Sequence, residues 1–220
     1  MIDEFGFEPI RGLPEDLPAG ERVLWQGAPA WRALAIRAFH ARKVAIYGAV
    51  LLAWYGISAV ADGASVGTAL VGILTFAPLV LAAVAILAGL AWVFARAAVY
   101  TITNRRVVMR IGAAFPITFN LPFRKIVGAG LRVDRHGIGD LPLELSKDDK
   151  IAWFLLWPHA RPWRVVHPQP MLRAVPDAGR VADILAVAMA EASASRTSSA
   201  EAQPAGGAPR VRRSSLASAA

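Results

Sequence analysis

Two hydrophobic patterns divide this chain of 220 residues near residue 98. Between Val44 and Ala95 almost every side chain is apolar, and Asp62 is the only charged residue. An uncharged apolar stretch of about 18 residues or more is typical of a helix that spans a membrane. From residue 98 onward apolar and polar residues alternate, which is typical of β-strands. The first half therefore predicts spanning helices and the second half predicts a β-rich domain.

The apolar half predicts two spanning helices, at 44–60 and roughly 73–95. Residues 61–72 between them are expected to form an extracytoplasmic loop or an interfacial segment. One helix over the 32 uncharged residues after Gly63 would be about 48 Å long, against a hydrocarbon core of about 30 Å. Pro78 could either kink such a helix or divide it into two. Length alone therefore leaves the number of spans open.

The distribution of charge favours an even number of spans. The net charge of +8 comes mainly from basic residues at 31–43, just before the first span, and at 96–176, after the last one. Because Lys and Arg concentrate on the cytoplasmic side of spanning helices, both ends of the apolar segment are expected in the cytoplasm. Three spans are the alternative, and they would place a basic domain outside. The basic flanks also suit an anionic lipid surface, whereas no nucleic-acid-binding motif is present.

The second half predicts seven short strands. "AVYTIT" and "RVVMRI" form a hairpin that turns at Asn104 and Arg105, because Asn tolerates the positive φ of a two-residue turn. "IAWFLLW" is apolar on both faces and indicates a buried strand. Gly, Pro and Asp between the strands indicate an antiparallel sandwich or barrel. The predicted strands are 98–103, 106–111, 115–121, 127–133, 141–145, 151–157 and 163–167.

The strands are followed by an amphipathic helix at 177–192, with Asp177 as its N-cap. Seven strands and one terminal helix are the element order of a pleckstrin-homology (PH) domain. The fold class is therefore α+β, with two transmembrane helices followed by a PH-like seven-stranded antiparallel β-barrel or sandwich capped by a C-terminal α-helix. The predicted regions are an N-terminal cytoplasmic segment (1–30), a transmembrane region (31–97), the PH-like domain (98–192) and a disordered tail (193–220).

The available side chains favour binding over catalysis. The chain has no Cys, which excludes disulfides, thiolate metal sites and a cysteine nucleophile. It also lacks the G-x-S-x-G and H-E-x-x-H motifs of hydrolases and zinc proteases. His40, beside the first span, could ligate a pigment, but it lies among basic residues and is interpreted as an interfacial histidine. We therefore expect no enzyme, no cofactor and no metal site.

Five side chains are candidates for contact with a partner or with lipid. Arg105 and Arg106 at the hairpin tip, and Arg110 on the next strand, could bind an anionic headgroup or an acidic loop, or could simply be solvated. "LWPHARPW" combines aromatic, Pro and Arg residues that are enriched at interfaces, although its tryptophans could equally fill the core. Arg161 and Trp163 are the residues of this stretch that are expected to be exposed.

Several stretches of the sequence resemble known proteins. "YTITNRRVVMRIG" after the apolar segment is similar to the first hairpin of bacterial membrane proteins with a PH-like domain, which has the form Y-x-L-T-N-x-R. Together with "FEPIRGLP", "RAFHARKVAIY", "NLPFRKI", "LWPHARPW" and "PMLRAVPDA", it makes about residues 5–192 resemble the PuhB family of photosynthetic complex assembly proteins. The residues singled out from these motifs are Tyr100, Thr103, Asn104, Trp157, Pro158 and His159.

The resemblance implies a function that composition and spacing do not. Such proteins are non-enzymatic assembly factors of purple phototrophic bacteria, and they help build the reaction centre and its light-harvesting 1 antenna in the inner or intracytoplasmic membrane. The expected partners are reaction-centre subunits, the H subunit foremost, light-harvesting 1 polypeptides and the anionic lipid surface, and a homodimer is compatible with the sequence. The alternative is a membrane-tethered PH-like module that binds anionic lipid or another membrane protein, with no photosynthetic role.

Overall fold

Two long helices and a β-sandwich make up most of the protein. The computed structural model describes residues 12–13, 15–146, 151–164 and 166–201. Helices α2 and α3 follow each other as a hairpin, and both are long and apolar enough to cross a membrane. The helices are α1 (Trp31–Arg37), α2 (Ala41–Ala61), α3 (Val66–Ala97), α4 (Trp153–Leu156) and α5 (Ala178–Glu201).

The helical hairpin exposes its large apolar side chains and buries small ones. Trp54 and Leu79, for example, are 70% and 71% exposed. A Cβ atom on Gly48 would lie 2.3 Å from Val80, so this glycine allows α2 and α3 to approach each other closely. Exposed apolar surface of this extent is typical of contact with a membrane or with another protein. The buried residues of the two helices are Ala41, Gly48, Gly56, Ala69, Ala91 and Ala95.

The second long helix differs from the predicted span chiefly at its start. It begins at Val66, because the Ser65 hydroxyl accepts a hydrogen bond from the Thr68 N–H at 3.1 Å and caps the helix. The predicted loop at 61–72 is therefore much shorter. The helix has 32 residues in all and continues through Pro78 without ending. Its length of about 48 Å therefore exceeds a hydrocarbon core of about 30 Å. Within the described residues two helices are long and apolar enough to span a membrane. No third helix of this kind, which the three-span alternative requires, is present among those residues.

Two antiparallel β-sheets enclose the main hydrophobic core. The first sheet has the strand order β1-β2-β3-β4, and in the second β7 pairs with β5, β6 and β8. The sheets do not close into a barrel, so the fold is sandwich-like. The strands are β1 (Val23–Gly27), β2 (Val99–Thr103), β3 (Arg106–Ile111), β4 (Ile117–Pro122), β5 (Ile126–Ala129), β6 (Arg132–Val133), β7 (Gly139–Leu145) and β8 (Met171–Val175).

The first strand of the sandwich comes from before the apolar hairpin. Strand β1 lies in the predicted N-terminal segment and pairs with β2, which places Gln26 opposite Thr101, 75 residues later. The helical hairpin is therefore inserted between two neighbouring strands of one sheet. Local periodicity did not reveal β1, because a five-residue strand so far from its partner has no local signal of pairing.

The predicted strands near the C-terminus require correction. "IAWFLLW" (151–157) contains the short helix α4 instead of a strand, since a brief apolar run suits either element. "WRVVH" (163–167) forms no strand in its described residues. The last strand is β8, which is fully buried like β2. Unlike β2, it is apolar except for Arg173 and so lacks the alternation by which the other strands were recognised.

Two other predicted elements have different bounds. The predicted strand 127–133 is divided into β5 and β6, which pair one after the other with β7. Helix α5 continues to Glu201, beyond the predicted end at residue 192. Residues 193–201 are therefore helical instead of disordered, and the rest of the predicted tail lies outside the described residues.

A second hydrophobic cluster joins the helical hairpin to the sandwich. Leu34 and Phe39, in α1 and just after it, pack with Ala91 and Ala95 of α3 and with Ala174 of β8. The main core is separate and combines residues of both sheets with α5. Helix α1 therefore contacts the hairpin and the sandwich at once, and it fixes the position of one against the other.

Candidate functional site

The tip of the β2–β3 hairpin carries an internal ion pair. The Arg106 guanidinium donates to Glu21 from Nε at 2.7 Å and from Nη2 at 3.0 Å. The Thr103 hydroxyl donates to the same carboxylate at 2.8 Å. The Glu21 side chain is 2% exposed and that of Arg106 is 24% exposed. The charge of Arg106 is therefore already neutralised by the segment that leads into β1.

The neighbouring Asn104 fastens the same segment through its amide. Its Oδ1 accepts a hydrogen bond from the Arg22 N–H, and its Nδ2 donates to the Gly20 carbonyl, both at 3.0 Å. The Asn104 backbone N–H also donates to the Arg22 carbonyl at 3.2 Å. Thr103, Asn104 and Arg106 of "TNRR" thus bind the segment that leads into β1.

The other two arginines of the candidate hairpin have different surroundings. Arg110 is half-buried on β3, opposite Thr118 of β4. Arg105 is exposed and lines a cavity of about 490 Å³. Strand β2 separates Arg105 from the end of α3 by roughly 17 Å, five residues at about 3.3 Å each. This cavity, which we call the tip cavity, is also lined by Arg22, Arg124, Glu191 and Arg196.

The other end of β2 carries a buried polar cluster. The Tyr100 hydroxyl lies 2.5 Å from His159 Nδ1 and accepts a hydrogen bond from the Arg173 backbone N–H at 3.2 Å. Since its oxygen already accepts, we assign its proton to the bond with Nδ1, which leaves the His159 proton on Nε2. The Arg173 guanidinium donates to the carbonyls of Pro158 at 2.7 Å and Arg37 at 3.0 Å. The cluster therefore connects β2, the loop before β8, β8 itself and the end of α1.

Burial determines the protonation states in this cluster. Burial, with a contribution from the charge of Arg173, lowers the pKa of His159 to about 3, so its ring is neutral at physiological pH. Burial also raises the pKa of the Tyr100 phenol well above its usual range. For Arg173, burial lowers the pKa of the guanidinium, and the nearby Asp140 carboxylate opposes that shift. Tyr100 and His159 are therefore both uncharged near neutral pH and act on each other as hydrogen-bonding partners.

The stretch "LWPHARPW" is divided between core and surface. Leu156, Pro158 and His159 are buried. Trp157 is 42% exposed and packs edge-on against two phenylalanines, with ring centroids 5.4 Å from Phe39 and 5.6 Å from Phe94. Phe94 belongs to the last turn of α3, so this stretch lies where the apolar hairpin meets the sandwich.

The end of the same stretch projects outward. Trp163 is 97% exposed and has a φ of 65°, a conformation that bulky residues rarely adopt. Phe154 and Val166 are also exposed, at 72% and 82%. Arg161 is exposed and donates through Nη1 to Gln169 Oε1 at 2.8 Å. Contact of Arg161 and Trp163 with a partner or lipid stays a prediction.

A basic groove lies between the α1–α2 junction and the β6–β7 edge of the sandwich. We call this space, of about 1130 Å³, the juxtamembrane groove. His40, the N-cap residue of α2, lies on its lining. The charged residues that line it include two acids, Asp134 and Asp140. The eight Arg and Lys residues of the lining are Arg32, Arg37, Arg42, Lys43, Arg132, Arg135, Arg161 and Arg173.

Both acids of the groove are engaged by Arg37. Its Nη2 lies 2.7 Å from Asp134 Oδ2 and its Nη1 lies 3.3 Å from Asp140 Oδ1. Partial burial acts to raise the pKa of Asp134, but hydrogen bonds from the backbone N–H groups of His136 and Ile138, together with Arg37, lower it overall. Asp134 therefore stays ionised and neutralises Arg37. It does not neutralise the other basic residues of the groove.

Sequence reasoning missed the residues that hold these sites together. Arg173 had a visible signal, because it is the one charge in the apolar strand "MLRAV", and a charge buried in such a strand needs hydrogen-bond partners. Glu21 and Arg37 had no such signal, since each is one charge among several in a polar segment. Their importance comes from partners 85 and 97 residues away.

Comparison with known proteins identifies the family of the chain. A family model described as a bacterial PH domain matches residues 33–189, a region that contains both long helices. A Rhodobacter capsulatus protein described as an uncharacterized 23.7 kDa protein in the puhA 5′ region is 41% identical over 189 residues, covering 84% of this chain and 87% of the relative. A crystal structure of a DUF1696 family protein with a pleckstrin-homology domain, from Shewanella loihica PV-4, is 13% identical with a TM-score of 0.28, covering 42% of this chain and 71% of that chain. The chain belongs to the bacterial PH domain family.

Proposed function

We propose that this protein is a membrane-anchored, non-enzymatic assembly factor for the photosynthetic reaction centre and light-harvesting 1 complex, as its resemblance to the PuhB family implies. In this proposal α2 and α3 span the inner membrane, and the sandwich lies on the cytoplasmic side. The protein binds incomplete intermediates more tightly than finished complexes, and the reaction-centre H subunit is the foremost candidate partner. Differential binding of this kind needs no chemical step.

The observation that carries the proposal is the gene position of the relative. That protein is encoded in the puhA 5′ region, a photosynthesis-related context, and its identity of 41% extends over 84% of this chain. Similarity over that share of the chain cannot be confined to the sandwich alone. We therefore transfer the context of the relative to the whole architecture of this chain.

The architecture supports a role in holding membrane polypeptides. Glycines of one helix make room for larger side chains of the other, as Gly48 does for Val80 and Gly56 for Ile73, while large apolar side chains such as Leu79 face outward. Partner helices can pack against that outer surface without separating the hairpin. Since the hairpin is inserted between β1 and β2, a polypeptide bound in the membrane also stays close to the sandwich.

Site-specific crosslinking in growing phototrophic cells tests the proposal. A photo-crosslinking amino acid at Leu79, which is 71% exposed, should capture reaction-centre or light-harvesting 1 polypeptides. The same probe at Ile73, whose side chain lies against Gly56 of α2, is the matched control and should capture them much less. Capture of unrelated membrane proteins alone from Leu79 would overturn the assembly role.

Reporter fusions test the topology separately. A fusion after Asp62 should report an extracytoplasmic position, and a fusion after Glu201 should report the cytoplasm, because two spans return the chain to its starting side. An extracytoplasmic signal at the second site would contradict the two-span arrangement.

A further inference from the structure

We propose that the juxtamembrane groove binds the phosphate-bearing headgroup of an anionic phospholipid. The inference does not rest on the assembly role, because it concerns the purified chain and its lipid. Of the five side chains predicted from the sequence to contact a partner or lipid, it uses Arg161 and Trp163 and leaves out the arginines of the hairpin tip. The tip lies roughly 17 Å along β2 from the end of α3, and one of its arginines is already paired with Glu21.

The first argument is the excess of positive charge in the groove. Eight Arg and Lys residues line it against two Asp residues, and Arg37 engages both carboxylates. Within the described residues, Arg42, Lys43, Arg132 and Arg135 form no ion pair with an acidic side chain. So many cations facing one space attract an anion, and the phosphate oxygens of a lipid headgroup can accept hydrogen bonds from several of them at once.

The second argument is a buried cation at the floor of the groove. Arg173 also lines it, although the residue is 8% exposed. Its guanidinium donates to two carbonyl oxygens, and within the described residues no carboxylate forms an ion pair with it. Asp140 lies near enough to act on this charge, but the guanidinium donates to carbonyl oxygens and not to that carboxylate, so Arg173 adds positive potential to the groove. The attraction of the groove for anions therefore does not depend on flexible surface side chains alone.

The third argument is the position of the groove at the end of the spanning hairpin. Arg42 and Lys43 lie in the first turn of α2 and line the groove. The N-terminus of α2 adds the positive end of its helix dipole. A headgroup held here has the exposed apolar side of α2 beside it for its acyl chains. This juxtaposition favours a phospholipid over a soluble phosphate compound or an acidic peptide.

The fourth argument is the exposed aromatic residue next to the groove. Pro162 is part of the lining, and the adjacent Trp163 is 97% exposed. Tryptophan is enriched at the boundary between membrane and water, where its ring sits at the level of the headgroups. Trp163 is therefore placed to enter the same lipid layer whose headgroup occupies the groove.

Native mass spectrometry of the full-length protein in detergent tests the proposal. Phosphatidylglycerol and phosphatidylcholine are added in equal amounts, and the lipids retained per protein are counted. We expect phosphatidylglycerol to be preferred at least about tenfold, the effect of several Lys or Arg residues near one anionic headgroup. The triple variant Arg132→Gln, Arg135→Gln and Arg161→Gln should lose most of that preference.

A matched triple variant controls for overall charge. Arg105→Gln, Arg124→Gln and Arg196→Gln remove the same number of cations from the tip cavity, and they should leave the preference for phosphatidylglycerol unchanged. Equal loss in both triple variants would mean general electrostatics and would overturn the groove as the site. If the groove variant unfolds, the double variant Arg132→Gln and Arg135→Gln serves instead, because both side chains are exposed.

Competition with inorganic phosphate separates the two sources of the anion. Excess inorganic phosphate at constant ionic strength should displace phosphatidylglycerol poorly, since the ion lacks acyl chains. Full displacement at low excess would show a site for free phosphate and would overturn the lipid assignment. Displacement by a short poly-glutamate peptide but not by phosphate would instead indicate an acidic protein segment, and would overturn it as well.

Discussion

The two ends of strand β2 carry polar networks of different character. At the tip, Thr103 and Asn104 with Arg106 bind the segment before β1, and the Arg106 side chain keeps 24% of its surface exposed. At the base, the Tyr100 and His159 side chains are fully buried, and Arg173 retains 8% exposure. Both networks fasten distant segments to the same strand, but only at the tip does a charged member, Arg106, reach the solvent over about a quarter of its side chain.

This difference indicates where the family-motif residues act. A polar group near the surface loses little when its partner is removed, whereas a buried group keeps the full cost of an unmade hydrogen bond. Tyr100, Pro158 and His159 therefore serve the junction between the helices and the sandwich. Side chains free to meet lipid or protein lie in the groove and around Trp163.

The largest expected effect is at the base, from Arg173→Met. The change leaves the buried carbonyl of Pro158 and the part-buried carbonyl of Arg37 without their donors, and it should lower the free energy of unfolding by about 3 kcal/mol. That corresponds to a fall of about 6–12 °C in the melting temperature, measured by tryptophan fluorescence of the full-length protein in detergent. Arg180→Met, at an exposed position of α5, is the control, and equal shifts in both variants would contradict the anchoring role.

The next largest effect is expected from Tyr100→Phe. Removing the hydroxyl leaves His159 Nδ1 and the Arg173 N–H unpaired inside the core, at a cost of about 2 kcal/mol. A double-mutant cycle with His159→Leu should show a coupling of about 1 kcal/mol, since the two side chains share one hydrogen bond. Strict additivity of the two effects in thermal melts would argue against that bond.

The buried cluster of Tyr100, His159 and Arg173 should also make the stability of the protein depend on pH. Burial lowers the pKa of His159 to about 3, so below the ordinary value of about 6.5 the unfolded chain binds a proton that the folded chain does not. The contribution of neutral His159 to the free energy of unfolding is complete above pH 6.5 and decreases as the pH falls toward 3. Between pH 7.5 and 5 the free energy of unfolding should fall by about 2 kcal/mol.

Denaturant titrations across pH 5 to 7.5 measure this slope. The variant His159→Gln can still accept the Tyr100 hydrogen bond but cannot be protonated, so it should show a flatter profile. An identical slope in the variant would assign the pH dependence to other groups.

The smallest effect is expected at the tip, from Arg106→Ala. The change removes the guanidinium from a carboxylate that is only 2% exposed, so we expect a loss of about 1–2 kcal/mol in thermal melts. Arg105→Ala is the matched control and should change stability by less than about 0.5 kcal/mol. Its hydrogen bonds to Thr103 and Phe123 use backbone atoms that the substitution retains. A larger loss from Arg105→Ala would mean that its side chain supports the hairpin.

The sequence by itself determined the elements that have a local signal. The long apolar stretch interrupted only by the charge of Asp62 predicted two long apolar helices. The alternation of apolar and polar residues on either side of Asn104 predicted the β2–β3 hairpin. The helical period after Asp177 predicted α5 up to its last turns. In each case the pattern reports which face of a segment is apolar, and this depends only on neighbouring residues.

Only the tertiary structure decided how the segments meet. The pairing of β1 with β2 across the inserted hairpin, and the buried strand β8, depend on partners far along the chain. The same is true of the cluster in which Tyr100, His159 and Arg173 come together, although the motifs that contain them were visible one by one. A buried polar group must find its hydrogen-bond partner among the groups that core packing brings next to it. Because these groups come from distant parts of the chain, no local sequence pattern shows the contact.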